Sequence, residues 1–189
     1  MLIVRLSLIL MVITTIAAGS LALLNQKTAP IIAENKARQQ EIARREVVQS
    51  IGGTRFEYVN NEELPFYKAF DDEGNLVGYV ALAKGKGYSS TIETVCGFDT
   101  NWHVSGLKIT FQQETPGLGT KSQEIKKGER KPWFQRQFED KDALKIAVRQ
   151  DRGQIDSITG ATITSRAVTN SVRAVAETIR ELTQMNIEP

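Results

Sequence analysis

The chain has one cysteine, Cys96, and one histidine, His103, in 189 residues. A lone thiol cannot close an intramolecular disulfide, and one thiolate cannot assemble a zinc site or an iron–sulfur cluster. The lone imidazole lies in the turn-like "FDTNWHVSG" and reads as a surface or satisfied side chain, so metal catalysis has no ligand set. An excess of one charge is also missing. The 24 basic and 22 acidic residues are interspersed and leave a net charge of +2, with no basic block carrying aromatic partners. That pattern speaks against a nucleic-acid partner. With 41% apolar and 24% charged residues, the length suits one globular domain with modest additions at either end.

Charge is wholly absent from Leu6 to Leu24, "LSLILMVITTIAAGSLALL", which is long enough to cross a hydrocarbon core as a helix. The small residues of "AAGS" suggest a cleavage site, but the apolar run continues beyond them to Leu24. The segment therefore reads as an uncleaved anchor spanning residues 1–25. Arg5 on one side and Lys27, Lys36 and Arg38 on the other nearly balance the positive-inside count. Because the N-terminal flank is so short, the expected arrangement is an amino terminus in the cytoplasm of a single-pass inner-membrane protein. The C-terminal domain then lies on the extracytoplasmic, periplasmic side.

Thr28 and Pro30 read as an N-cap and first-turn proline of a stalk helix from about 29 to 51 within residues 26–53, ended by Gly52-Gly53. Only its second half carries an apolar stripe, at Ala43, Val47, Val48 and Ile51. From residue 54 the period changes. "FYKAF" and "LVGYVALA" flank the turn-rich "DDEGN" and read as a hairpin, and "SGLKITF" alternates as a half-buried strand. "ALKIAV" at 143–148 reads as a further short strand. Val168, Val172, Val175, Ile179 and Leu182 then recur at spacings of four and three, the pattern of an amphipathic helix. Helix, strands and helix without βαβ alternation give an α+β fold with a mainly antiparallel sheet, packed with helices, in the domain 54–189.

Five hydroxyl side chains crowd the run "DSITGATITS", residues 156–165, at the start of that last helix. Two readings are open. In one, Thr164 or Ser165 caps the helix while Asp156, Ser157 and Thr159 fill the turn. In the other, the free N–H groups of the helix start hold a phosphate, with Gly160 and Ala161 keeping side chains out of its way. "ETPGLG" at 114–119 follows the strongest strand and is a rigid turn with two glycines, suited to either a strand end or a close-lying ligand. "GKGYSS" at 85–90 is a similar loop, with Tyr88 available to lie against a flat ring.

The anchor, "GYSS", "ETPGLG" and "DSITGATITSRAV", in this order, resemble the G subunits of the Rnf electron-transport complex over essentially the whole chain. They are similar also to the C subunits of the sodium-pumping NADH:quinone oxidoreductase, which share the FMN-binding domain. The resemblance implies FMN joined through its phosphate to the hydroxyl of Thr162, within the motif Thr159-Gly160-Ala161-Thr162 that Asp156 precedes. A separate flavin transferase using FAD as donor would install it. It also implies that Glu114, Thr115, Leu118 and Gly119 line the flavin, with Gly160, Ala161 and Thr164 around the attachment point.

The implied role is that of an electron-carrier subunit in a membrane-bound ion-translocating ferredoxin:NAD oxidoreductase, alongside other subunits that include a second flavin-bearing membrane subunit. Such a subunit is not a stand-alone catalyst and needs no acid, base or nucleophile set. The alternative is an anchored extracytoplasmic module that holds an anion or other ligand without covalent flavin, and a purely structural subunit is a third reading.

Overall fold

The structure, a computed structural model, describes residues 2–185. Helix α1 runs unbroken over Leu2–Val47, with Pro30 inside it. The expected start of a separate stalk helix at Thr28 is therefore absent, and the Thr28 hydroxyl donates instead to the Leu24 carbonyl, at 3.0 Å. The helix runs through both Asn25 and Pro30, so the lost proline N–H removes one backbone bond without ending it. The chain divides into two compact units, residues 1–39 and 40–189. In the first, the apolar side chains from Leu2 to Leu24 are exposed along a helix long and apolar enough to span a membrane.

The second unit is built on five antiparallel strands in chain order: β1 (Arg55–Val59), β2 (Phe66–Phe70), β3 (Leu76–Lys86), β4 (Thr91–Asp99) and β5 (Val104–Phe111). The expected hairpin is present. Asp71 accepts the Asn75 amide at 2.7 Å and closes the turn between β2 and β3. Two strands escaped sequence reading, β1 because it is short and mostly exposed, and β4 because it does not alternate. Seven consecutive residues of β4, Ile92 to Phe98, are buried, which follows from cover on both faces of the sheet.

One cover is α3 (Thr162–Met185), whose Val168, Val172, Val175, Ile179 and Leu182 pack on Tyr79, Ala81, Cys96, Phe98 and Leu107. The other is the end of α1 and the residue after it, where Ala43, Val47 and Val48 meet Ala69, Val80 and Val95. That stripe is the one the sequence displays. Its close approach depends on Gly97 and Gly106, which face each other across β4 and β5. A Cβ on Gly106 would lie 2.7 Å from Val47 Cα, and one on Gly97 would lie 2.8 Å from the Val47 carbonyl oxygen. Ser105 completes the join by donating its hydroxyl to that carbonyl, at 2.7 Å.

Between β5 and α3 the chain is irregular apart from short helical turns, among them the one-turn helix α2 (Trp133–Arg136). This segment covers the outer edge of β5 with two glutamines. Gln135 Oε1 accepts the Ile109 amide at 3.3 Å, and Gln123 Nε2 donates to the Ile109 carbonyl at 2.9 Å. An edge strand that would expose unpaired polar groups is thereby closed within the chain. The segment "ALKIAV", expected as a strand, is a turn with one isolated bridge between Val148 and Ile155. Its amides are used locally, as in Lys145 N–H to the Asp142 carbonyl at 3.0 Å, while Ala143 and Ile146 plug the core.

Gly106→Ala should destabilise the chain by about 1–3 kcal/mol, because the methyl meets main chain that cannot swing aside. A urea titration followed by tryptophan fluorescence checks this, and an unchanged midpoint would show that α1 can back away from the sheet.

Candidate functional site

Three segments that are far apart in sequence converge at one end of the sheet: the loop after β3, the segment after β5, and the turn into α3. Between them lies a cavity of about 680 Å³, lined by Tyr88, Glu114, Thr115, Leu118, Gly119, Gly160, Ala161, Thr162, Ile163 and Thr164. That volume is within the range of small-molecule and cofactor sites. All eight residues singled out from the sequence line it. A smaller groove of about 250 Å³, bordered by Lys108, Lys131 and Arg136, is bridged by ion pairs of those residues to Glu46, Glu139 and Glu129.

The cavity is built around Glu114, which is only 4% exposed. Its Oε2 accepts the Tyr88 amide at 3.0 Å and the Thr164 hydroxyl at 2.6 Å. Its Oε1 accepts the amides of Ser89 and Ser90, at 3.1 and 3.0 Å, and the Ser90 hydroxyl at 2.8 Å. One carboxylate thus ties the 88–90 loop and the start of α3 to the segment after β5. Burial by itself would raise its pKa, but the bonds from Thr164, Tyr88, Ser90 and Ser89 favour the charged form and together lower it to about 2. "GYSS" therefore contributes two kinds of group: amides and hydroxyls that hold Glu114, and the Tyr88 ring, which is 73% exposed on the cavity wall.

The turn into α3 is pinned at both ends by side chains. Gln137 pairs with the Asp156 main chain, accepting its N–H at 2.8 Å and donating to its carbonyl at 3.2 Å. Ser165 accepts the Ile158 amide at 2.9 Å and donates to the Ala161 carbonyl at 3.0 Å. Between these pins Gly160 adopts φ of +77°, a left-handed conformation costly for other residues, and a Cβ there would touch Leu118 at 3.0 Å. Arg166 then locks the first turn of α3 to the 149–151 turn by a two-pronged contact with Asp151, at 2.8 and 2.7 Å. The hydrogen bond and charge of Arg166 hold the Asp151 carboxyl below its usual range.

This arrangement sorts the hydroxyls of residues 156–165. Ser157 donates to Gln150, Ser165 staples the turn, and Thr164 is buried and committed to Glu114. Neither Thr164 nor Ser165 caps the helix, as one reading of the sequence has it, because α3 begins at Thr162 and both lie inside its first turn. Thr159 is exposed and away from the cavity wall. Thr162 is half-buried and lines the cavity, and among the described residues none hydrogen-bonds its hydroxyl. It is also the first residue of α3, so its amide and those of Ile163 and Thr164 have no carbonyl partner within the helix. Asp156 instead pairs with Arg149 at 2.5 Å, outside the cavity wall.

Ile163 was not legible as a site residue, although one signal existed. It is apolar and 51% exposed in the first turn of α3, off the stripe that Val168 begins. With Tyr88 and Leu118 it gives the cavity three apolar walls.

Because the Glu114 pKa is lowered on folding, the carboxylate stabilises the chain above its unfolded pKa near 4.5, and that contribution is lost as pH falls towards 2. Its size is on the order of 3 kcal/mol. Glu114→Gln should be less stable than the unsubstituted chain by a constant margin from pH 7 to about 5, with the margin closing at lower pH. Denaturant titrations at a series of pH values test this; a margin independent of pH down to 2 would mean that Glu114 is not held ionised.

Residues 87–177 match the FMN-binding domain family. The chain is 30% identical to the G subunit of the Na(+)-translocating ferredoxin:NAD(+) oxidoreductase complex of Acetobacterium woodii, covering 95% of this chain and 93% of that protein. It is 33% identical to the G subunit of the ion-translocating oxidoreductase complex of Escherichia coli, covering 83% and 82% respectively. Among solved structures, the C subunit of the Na(+)-translocating NADH-quinone reductase from Parabacteroides distasonis has the same fold, with a TM-score of 0.52 at 20% identity over 75% of this chain and 90% of its own. Similarity at this level over most of the length, together with the matched domain, places the chain in the family of G subunits of ion-translocating oxidoreductase complexes.

Proposed function

We propose that this chain carries FMN covalently, through a phosphoester on the Thr162 hydroxyl, and serves as an electron carrier in a membrane-bound ion-translocating ferredoxin:NAD oxidoreductase complex. The observation that carries this reading is the Thr162 hydroxyl, without a hydrogen-bond partner among the described residues, in a cavity wall beside the opening amides of α3, which have no carbonyl partner within the helix. FMN supplies reversible electron uptake and release when bound.

The residues suit such a group. The first amides of α3 can receive a phosphate, favoured by the positive end of the helix dipole. Gly160 keeps that approach free of a side chain. Tyr88, Leu118 and Ile163 offer apolar surface to a flat ring system, and Thr115 offers a hydroxyl at the rim. No proton donor or acceptor set is required of the chain.

Attachment needs a separate flavin transferase with FAD as donor. The Thr162 oxygen attacks the phosphorus next to the riboflavin moiety, the pyrophosphate P–O bond breaks, AMP leaves, and the hydroxyl proton passes to a base of the transferase or to solvent. The anchor would hold the domain on the extracytoplasmic side, beside other membrane subunits including one that bears a second flavin.

Co-expressed with a flavin transferase, the chain should gain the mass of FMN minus water and fluoresce yellow after denaturing electrophoresis. Thr162→Ala should lose both signals, and Thr162→Ser should keep them. An unlabelled wild-type chain, with flavin released on denaturation, would favour the anchored non-covalent binding module instead.

A further inference from the structure

Among the described residues, Glu114 is the one ionisable carboxyl or amine in the cavity wall; the other lining residues are threonines, glycines, Ala161, the apolar Leu118 and Ile163, and Tyr88 with its phenol. The groups that bond it are three amides and the hydroxyls of Ser90 and Thr164 at close range, with the Ser89 hydroxyl more distant at 3.4 Å. All are neutral dipoles. They stabilise the charge without cancelling it, and no cation pairs with this carboxylate among the described residues. A net negative charge is therefore fixed in a largely apolar wall, where its field is weakly screened.

From this geometry we infer that Glu114 sets the redox potential of the flavin held in this cavity, making the flavin harder to reduce than it would be beside a neutral residue. The inference rests on the flavin-binding reading of the site, though not on the covalent bond. Adding electrons to a group in this cavity builds negative charge next to a carboxylate that is already ionised, and the repulsion disfavours the reduced form. The carboxylate cannot relieve that repulsion by taking up a proton at neutral pH, because its donors hold it in the charged form. Nor can it swing out, since donors from two other segments of the chain, the 88–90 loop and the start of α3, hold it. Glu114 thus acts on the flavin through charge, as a positioning and tuning residue with both oxygens already engaged by protein.

The same physics gives opposite signs for two variants. Glu114→Gln removes the charge and should move the midpoint potential to a more positive value. Ser90→Ala keeps the charge and deletes one of the hydroxyl dipoles that partly offset it, so the potential should move to a more negative value. A role limited to holding the loop would shift both variants in the same direction or neither. The test is a spectroelectrochemical titration of the full-length chain in detergent, loaded by co-expressed transferase or, if loading is not covalent, by added FMN.

Opposite shifts support the inference. An unchanged potential in Glu114→Gln overturns it while leaving the proposed function intact. If Glu114→Gln does not fold, Ser90→Ala decides alone: a shift to a more negative value supports the inference, and an unchanged or more positive value overturns it. A wild-type chain that takes up no flavin by either route overturns the proposed function, and this inference with it.

Discussion

The site depends on one buried carboxylate and the donors turned towards it. Glu114 follows the last strand of the sheet, yet its bonds reach the loop after β3 and the first turn of α3. Without an acceptor there, three loop amides and two hydroxyls would lose their partners, and each such group left buried costs roughly 1–3 kcal/mol. An acceptor at this position therefore stabilises the closed loops, and opening the loops would strand the charge. That mutual requirement gives the cavity a fixed shape before any ligand enters it.

The sheet supplies the rigid base for this closure. It is covered on both faces, by the end of α1 and by α3, so β3 and β4 are held in place where the site loops leave them. The two covers approach differently. The α1 end lies directly against main chain at Gly97 and Gly106, whereas α3 packs through its Val, Ile and Leu stripe. The first turn of α3 is then fixed by Ser165, Arg166 and Thr164 together, which leaves Thr162 with a hydroxyl directed to no partner among the described residues.

Much of this was legible in the residues. Periodicity located α3 and the α1 stripe, each of which has one apolar face in the core, and the β2–β3 hairpin and β5, where β3 and β5 still alternate towards their C-terminal ends although an earlier run of each is buried on both faces. The same rule hid β4, which has no exposed face, and misread "ALKIAV", whose apolar side chains enter the core from a turn. Pro30 was misplaced as a helix start because local preference carried no information about the unbroken helix on both sides of it. The family resemblance picked Thr162 from several hydroxyls, and all eight chosen site residues share one cavity. What no local pattern displayed was the partner of each group. That Thr164 serves Glu114 is a consequence of a contact between segments 50 residues apart, and that Ser165 staples the turn depends on how the turn folds back on the helix.

If the cavity exists to present Thr162 to a phosphorylated flavin, the point of attachment is the most direct thing to measure. Tryptic digestion of the flavin-loaded chain releases residues 153–166 as one peptide, since cleavage follows Arg152 and Arg166. Fragmentation mass spectrometry of that peptide should assign the added mass of FMN minus water to Thr162. Assignment to Thr159, Thr164 or any residue outside this peptide would contradict the account.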